Sequence, residues 1–248
     1  MDLGIHGKRA AVAAATAGLG FASARALVDA GAQVVVCGRD RERVDAAIAR
    51  LGGGAIGVEC DVSTQGGAAM FVEMAAQRLG GIDILVANGG GPKPGNFASL
   101  TVDDYLPALQ QSLLSVVAMC EAAVPAMRER KWGRVVAITS ISVRQPIANL
   151  MLSNTARAGV TGFLKTLARE VAADGVTVNS VQPGIHATDR ITQLYGAKPD
   201  AGQLGIPAGV VGDPSDFGKV VTFLCGEPAR FITGAHVPVD GGSYAGLL

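Results

Sequence analysis

Along the N-terminal part of the chain, short apolar runs rich in β-branched residues alternate with longer, alanine-rich segments: RAAVAAA, GFASARALVDAG, QVVVCG, RERVDAAIARL, AIGVECDV, GGAAMFVEMAAQRLG and IDILVANGG. Apolar residues recurring at helical spacing mark amphipathic helices, and the brief apolar runs between them mark strands. Runs such as VVVC and ILVA are apolar at successive positions, as a strand covered by helices on both faces requires. The order reads as repeated βα units, so the expected fold class is α/β with a doubly wound parallel sheet. The second half continues with a helix from about Val102 to Arg130, a strand RVVAITS, a helix from about Leu150 to Ala173 and a strand TVNSVQP. No Ser- or Pro-rich linker divides the halves, and a single domain over residues 1–248 is expected. The segment from Ile185 to Pro214 breaks the pattern with Gly, Pro and small residues, as a substrate lid does.

With 49% hydrophobic residues the chain can bury a sizeable core. Its 21 basic and 21 acidic side chains balance, without a long basic run, so neither nucleic acid nor an anionic membrane is an expected partner. Small molecules are. Cys37, Cys60, Cys120 and Cys225 lack CxxC spacing, and His6, His186 and His236 do not cluster with them, which argues against a metal site or a disulfide framework. The N-terminus MDLGIHGKRAAV has no basic region leading into an apolar stretch, and no apolar run approaches the roughly 18 residues of a membrane span. A cytoplasmic location is expected.

Between the first strand and first helix lies AATAGLG, residues 14–20. Gly18 and Gly20 stand where a helix N-terminus receives a phosphate on its free N–H groups; a ligand-free strand-to-helix turn also fits them. The second strand ends in Cys37-Gly38-Arg39-Asp40. An acidic residue there would bind ribose hydroxyls, whereas Arg39 suits a 2′-phosphate, pointing to NADP(H). The plainer alternative is a solvated helix start with Asp40 as its cap.

Together with IDILVANGG (82–90), GRVVAITS (133–140), VNSVQPGIHAT (178–188) and FITGAHVPVDGG, these pieces resemble the short-chain dehydrogenase/reductase family, in particular the branch of the 3-oxoacyl-carrier-protein reductases. The resemblance implies a seven-stranded parallel sheet with cofactor across its carboxyl ends, and a homo-oligomer, a tetramer, in which LLSVVAMCEAAV packs against its counterpart. It implies cofactor contacts from Thr16, Gly18, Leu19 and Gly20, from Asp61 and Val62 at the adenine, and from Asn88, Gly89 and Gly90 at the ribose. Pro183, Gly184, Ile185 and Thr188 would hold the nicotinamide end. The family's serine is matched by Ser140, but its tyrosine position reads Ser153, its lysine Arg157 and its asparagine Ser112. The turn departs too, with Ala13, Ala14 and Ala17 for the family's threonine, first glycine and basic residue.

The implied function is an NADP(H)-dependent oxidoreductase acting on a small-molecule carbonyl/alcohol pair with a changed proton transfer. An aliphatic hydroxyl is a far weaker acid than a phenol, and Arg157 stays charged. Ser140 and Ser153 are then hydrogen-bond donors to the substrate oxygen, Arg157 supplies positive potential and a hold on ribose, and His186 or Tyr195 is a candidate replacement acid. Lys93, Arg144 and Arg157 together suit an anionic substrate. Lys131 and Asp174 occupy the positions where the family's paired arginines dock an acyl carrier, which argues against such a partner. A non-catalytic cofactor- or partner-binding protein of the same fold, or a lyase or isomerase, stays open. On the non-catalytic view the helix LSNTARAGVTGFL serves to bury Leu152, Ala156, Gly159 and Phe163.

Overall fold

The computed structural model describes residues 2–196 and 199–247, the side chains of residues 190, 194 and 195 excepted. The βα alternation is realised in order: β1 (Arg9–Val12), α1 (Gly18–Asp29), β2 (Gln33–Gly38), α2 (Arg41–Leu51), β3 (Ile56–Glu59), α3 (Gln65–Leu79) and β4 (Ile84–Ala87). The second half follows with α4 (Tyr105–Leu109), α5 (Ser115–Glu129), β5 (Gly133–Ile138), α6 (Met151–Val171), β6 (Val176–Pro183), α7 (Asp189–Tyr195), α8 (Pro214–Leu224) and β7 (His236–Val239). The seven strands form one sheet in the order β3-β2-β1-β4-β5-β6-β7, and every neighbouring pair is parallel.

Strands that are apolar at every position bury both faces. Ala11, Val35, Leu85 and Val135 enter one core with Phe71 of α3, Met119 of α5 and Leu164 of α6. Their neighbours Val12, Val34, Val86 and Val136 enter the other with Leu27 of α1 and Phe217 of α8. Helices α1 and α8 approach so closely that a Cβ at Gly218 would lie 2.3 Å from the Ala22 carbonyl oxygen.

The helix expected from Val102 to Arg130 is interrupted. A 3-10 turn at Val102–Asp104, capped reciprocally by Thr101 and Asp104, precedes α4, and a π-turn at Gln110–Leu114 separates α4 from α5. The helical run 102–129 is long and apolar enough to cross a membrane by length and composition, but half of its most apolar window is buried in the protomer. Val116, Ala118, Met119, Cys120, Ala123 and Val124, half of the LLSVVAMCEAAV run, serve the protomer's own core.

Helix α6 buries Leu152, Ser153, Ala156, Val160 and Leu164. Gly159 is exposed and Phe163 half-buried, so the stripe continues one position later than the sequence suggests. Within 185–214, read as loop from its composition, α7 forms a helix of seven residues.

Candidate functional site

In an open parallel sheet the ligand crevice lies outside the carboxyl ends of the strands where the strand order reverses, here between β1 and β4. A cleft of about 960 Å³ is found there. Of the residues singled out from sequence, Thr16, Gly18, Leu19, Gly20, Arg39, Asp61, Val62, Asn88, Gly89, Gly90, Arg157, Pro183 and Thr188 line it.

The turn after β1 is thin by construction. Gly18 opens α1 at φ +59, and Ala17 before it gives no side-chain cap, leaving the first N–H groups to whatever occupies the cleft. A Cβ at Gly20 would stand 2.5 Å from Asn88 Nδ2 and 2.7 Å from the Ala14 carbonyl oxygen. Asn88, at the end of β4, donates from that amide to the carbonyls of Ala13 (3.2 Å) and Ala14 (3.1 Å), so it locks the turn as well as lining the cleft. Ala14 adopts φ +47, a conformation that disfavours a side chain, and its N–H donates to Cys37 Sγ at 3.3 Å. Burial pushes the Cys37 thiol up to about 12, so it is a structural acceptor and no nucleophile.

At the far end of the cleft, Thr16 packs on Gly38, whose Cβ would lie 2.5 Å from the threonine methyl. Arg39 follows, and Arg43, one turn into α2, joins it on the lining. Asp40 does cap α2, accepting the Arg43 N–H at 2.8 Å, so cap and cleft coexist. Burial works against the Asp61 carboxylate, but the Ser63 N–H at 2.9 Å and the Arg39 charge hold it below the usual carboxylate range.

At the other end Arg157 donates from Nη1 to the Ile138 carbonyl at 3.1 Å, fixing its guanidinium at the carboxyl end of β5. Ser140 lies two residues beyond Ile138, and Ser153, 9% exposed, lies one helical turn before Arg157. Ser140 Oγ accepts the Ser142 N–H at 3.1 Å, which leaves its own O–H to donate elsewhere. Thr139 and Arg157 line the cleft at this strand end, whereas Ser140 and Ser153, expected there from sequence, are not on its lining.

Other expected residues are placed differently. Ser112 sits in the π-turn, 6% exposed, with its hydroxyl buried and unpartnered among the described residues; its neighbour Gln111 lines the cleft instead, donating from Nε2 to the Gly91 carbonyl at 3.3 Å. Gly184 and Ile185 are not on the lining. Gly184 backs onto β7, where its Cβ would be 2.7 Å from Asp240 Cα, and the Ile185 carbonyl accepts the Gly212 N–H at 3.0 Å. His186 is no acid at this site. It is 4% exposed, bonded to the Gly184 carbonyl and edge-on to Phe217 at 5.1 Å, and burial holds its imidazole below the ordinary range. The Tyr195 side chain lies outside the described residues.

Two of the three cations that suggested an anionic substrate are committed elsewhere. Lys93 pairs with Asp104 at 2.6 Å, and Arg144 donates to Gln182 Oε1 and the His236 carbonyl, both at 2.8 Å, beneath the Tyr244 ring. Lys131 and Asp174 pair with each other, and Arg128 joins them at 2.7 Å.

Arg43, Gln111 and Gln193 are lining residues that the sequence reading missed. Arg43 was findable as the next turn after Arg39. Gln111 was not, because its direction depends on the phase set by the π-turn.

A family model described as Enoyl-(Acyl carrier protein) reductase matches residues 13–244. "Dehydrogenase/reductase SDR family member 4" of Sus scrofa is 34% identical over 98% of this chain and 89% of its own length. The 3-oxoacyl-acyl-carrier-protein reductase FabG of Haemophilus influenzae is 34% identical over 97% of this chain and 99% of its own. Among solved structures, L-sorbose reductase from Gluconobacter frateurii, complexed with NADPH and L-sorbose, superposes with a TM-score of 0.91 at 28% identity, covering all of both chains. The chain thus belongs to the short-chain dehydrogenase/reductase family of oxidoreductases, on the branch that includes FabG.

Proposed function

We propose that the protein is an NADP(H)-dependent oxidoreductase acting on the carbonyl/alcohol couple of a small molecule, with serine and arginine where the family has tyrosine and lysine. The observation that carries this reading is the cleft at the strand-order reversal, whose lining combines the uncapped start of α1 with Arg39 and Arg43 after β2. Those features fit a pyrophosphate and a 2′-phosphate respectively. The L-sorbose reductase, with NADPH and a sugar bound in the same fold, supports a nicotinamide cofactor and a small polar substrate.

In this reading Gly18 and Gly20 present backbone N–H groups to the pyrophosphate, Asp61 and Val62 border the adenine, and Gly89, Gly90 and Arg157 hold ribose. Pro183 and Thr188 flank the nicotinamide end, with Gly184 and Ile185 shaping it from behind, and residues 185–214 close over the substrate as a lid. When bound, the cofactor supplies a hydride. Ser140 and Ser153 orient the substrate oxygen, and Arg157 stabilises negative charge developing on it. A homo-oligomer, a tetramer, in a reducing cytoplasm completes the proposal; the four free, buried thiols suit that compartment.

Two measurements test it together. Fluorescence titration is expected to give tighter binding of NADPH than of NADH. Incubation with stereospecifically deuterated NADPH and a panel of aldehydes, ketones and unsaturated carbonyl compounds is expected to label a product. Tight NADPH binding without label transfer to any compound would favour the non-catalytic reading, and absence of binding would end both.

A further inference from the structure

A second cavity, of about 510 Å³, lies along α1 between α8 and the C-terminal end of α2, and it falls in the size range of small-molecule sites. Its floor is α1 itself, where Gly18, Ala22 and Ala26 recur every four residues and so stack along one side of the helix. Side chains this small leave a flat surface, suited to an aromatic ring. Phe21, Arg25 and Arg50 form one wall, and Pro214, Lys219 and Thr222 of α8 the other. The α8 wall carries an unmet hydrogen bond. Ser23, Ser115, Thr155, Thr161 and Thr166 each donate the hydroxyl to the carbonyl four residues back, at 2.7–3.0 Å, the local partner open to a helical hydroxyl. Thr222 does not. It lines the cavity, is 3% exposed, and its hydroxyl has no partner among the described residues. A buried hydroxyl left unpaired is costly, so this wall favours an occupant that brings an oxygen to it.

The opposite wall is positive. Arg25 donates to the Leu51 carbonyl at 2.8 Å and to the Arg50 carbonyl, and it pairs with Asp29 at 3.7 Å. Lys219 is held by Asp216 at 2.9 Å. The Arg50 guanidinium lies 4.2 Å from the centroid of the Phe21 ring and pairs with no carboxylate among the described residues. The other lining acid, Asp189, sits in the first turn of α7, where free N–H groups offset its charge. We propose that this cavity is a second ligand site, for an aromatic carboxylate that carries a further oxygen on its ring. The carboxylate pairs with Arg50, the ring lies on the floor of Gly18, Ala22 and Ala26, and the ring oxygen meets the Thr222 hydroxyl. The site adjoins the cofactor cleft through shared residues. Ala17, Gly18, Thr188 and Asp189 line both, and a Cβ at Gly18 would lie 3.7 Å from the Thr188 methyl. A ligand packed against Gly18 and Thr188 holds them in the arrangement that faces the cofactor, so occupancy of either cavity favours occupancy of the other. The ligand site stands without the cofactor reading above; the coupling rests on it.

The test titrates 3-(4-hydroxyphenyl)propanoate into the purified protein by isothermal titration calorimetry. Beside it run 3-phenylpropanoate, which lacks the ring oxygen, and 3-(4-hydroxyphenyl)propanamide, which lacks the charge. The first is expected to bind at a single site per chain. Loss of the ring oxygen is expected to weaken binding by about 3–10-fold, the worth of one hydrogen bond. Loss of the charge is expected to weaken it by about 2–5-fold, the worth of an ion pair to an exposed arginine. Arg50→Gln is expected to erase the preference for carboxylate over amide, and Arg50→Lys to keep part of it. Thr222→Val removes a hydroxyl with no partner to lose, so it is expected to leave the melting temperature unchanged or raised and to make the phenolic and plain phenyl acids bind equally. Ala26→Leu fills the floor and is expected to abolish binding of all three, with circular dichroism checking the fold. Saturation with the hydroxyphenyl acid is expected to tighten NADPH binding by about fivefold or more. No binding of the hydroxyphenyl acid at millimolar concentration, equal affinities for the three compounds, or binding untouched by Ala26→Leu would each overturn the site. NADPH affinity unchanged by the acid would overturn the coupling. Failure to bind NADPH in protein that still binds the acid would overturn the cofactor reading, and the coupling with it, and leave the ligand site standing.

Discussion

Gly20→Ala separates tertiary geometry from helix propensity by sign. Gly20 is inside α1, and at an unhindered helical position alanine is better than glycine by about 0.5–1 kcal/mol. The added Cβ would meet Asn88 Nδ2 at 2.5 Å, the Ala14 carbonyl oxygen at 2.7 Å and Ala15 Cα at 3.2 Å. Two of these are main chain, and the third is pinned by its bonds to Ala13 and Ala14. Overpacking of this kind costs about 1–3 kcal/mol. Displacing Asn88 loses one or two partly buried hydrogen bonds at about 1 kcal/mol each. Against the propensity gain, a net destabilisation of about 2–3 kcal/mol remains. For a chain of this size that lowers the melting temperature by roughly 4–12 °C. Thermal unfolding followed by circular dichroism reads the shift, and fluorescence titration reads a parallel loss of NADPH affinity, since the same turn lines the cleft. A melting temperature unchanged or raised would refute the claim that contact between turn, helix and Asn88 fixes this residue.

Ala14→Gly acts in the other direction. Relief of the positive φ returns about 1–2 kcal/mol, the unfolded-state entropy of glycine takes back about 0.5–1 kcal/mol, and the melting temperature is expected to rise by about 1–3 °C; a fall would show that the alanine methyl matters more than its strain. His186 has a folded pKa depressed by burial below the unfolded value of about 6.5, so the unfolded chain binds more protons as pH falls through that value, and stability drops on acidification. His236, also lowered by burial, adds to the same slope, so His186→Gln is expected to flatten the stability profile between about pH 7.5 and 5.5 only in part; an unaltered profile would mean that His186 is not held neutral. Arg39→Ala is expected to weaken NADPH binding by about 10–100-fold, the worth of a charged hydrogen bond, while leaving NADH almost untouched; Arg43→Ala should do the same to a smaller degree. Equal losses for both cofactors would remove the 2′-phosphate assignment.

The parallel sheet and the glycine turn were legible because each depends on local pattern, while the count of seven strands came from the resemblance to the family. A run such as VVVC suits a strand covered on both faces, and a glycine pair between strand and helix marks a turn where a helix N-terminus can receive a phosphate. The same holds for the departures from the family's chemistry, Ser153 and Arg157, which are identities at fixed spacing. The direction and employment of side chains were not legible, because partners distant in sequence decide them. Lys93 and Arg144 look like site cations until Asp104, Gln182 and the His236 carbonyl claim them. His186 follows Pro183-Gly184 closely enough to suggest an acid, yet packing against Phe217, thirty-one positions later, buries it. A single π-turn sets whether Gln111 or Ser112 faces the cleft, and helical periodicity in sequence does not show the extra residue that such a turn inserts. Sequence alone thus determined the βα alternation of the fold and the inventory of reactive groups. Tertiary packing decided which of those groups remain available to a ligand, because hydrogen bonding and burial commit a side chain only when its partners are brought to it.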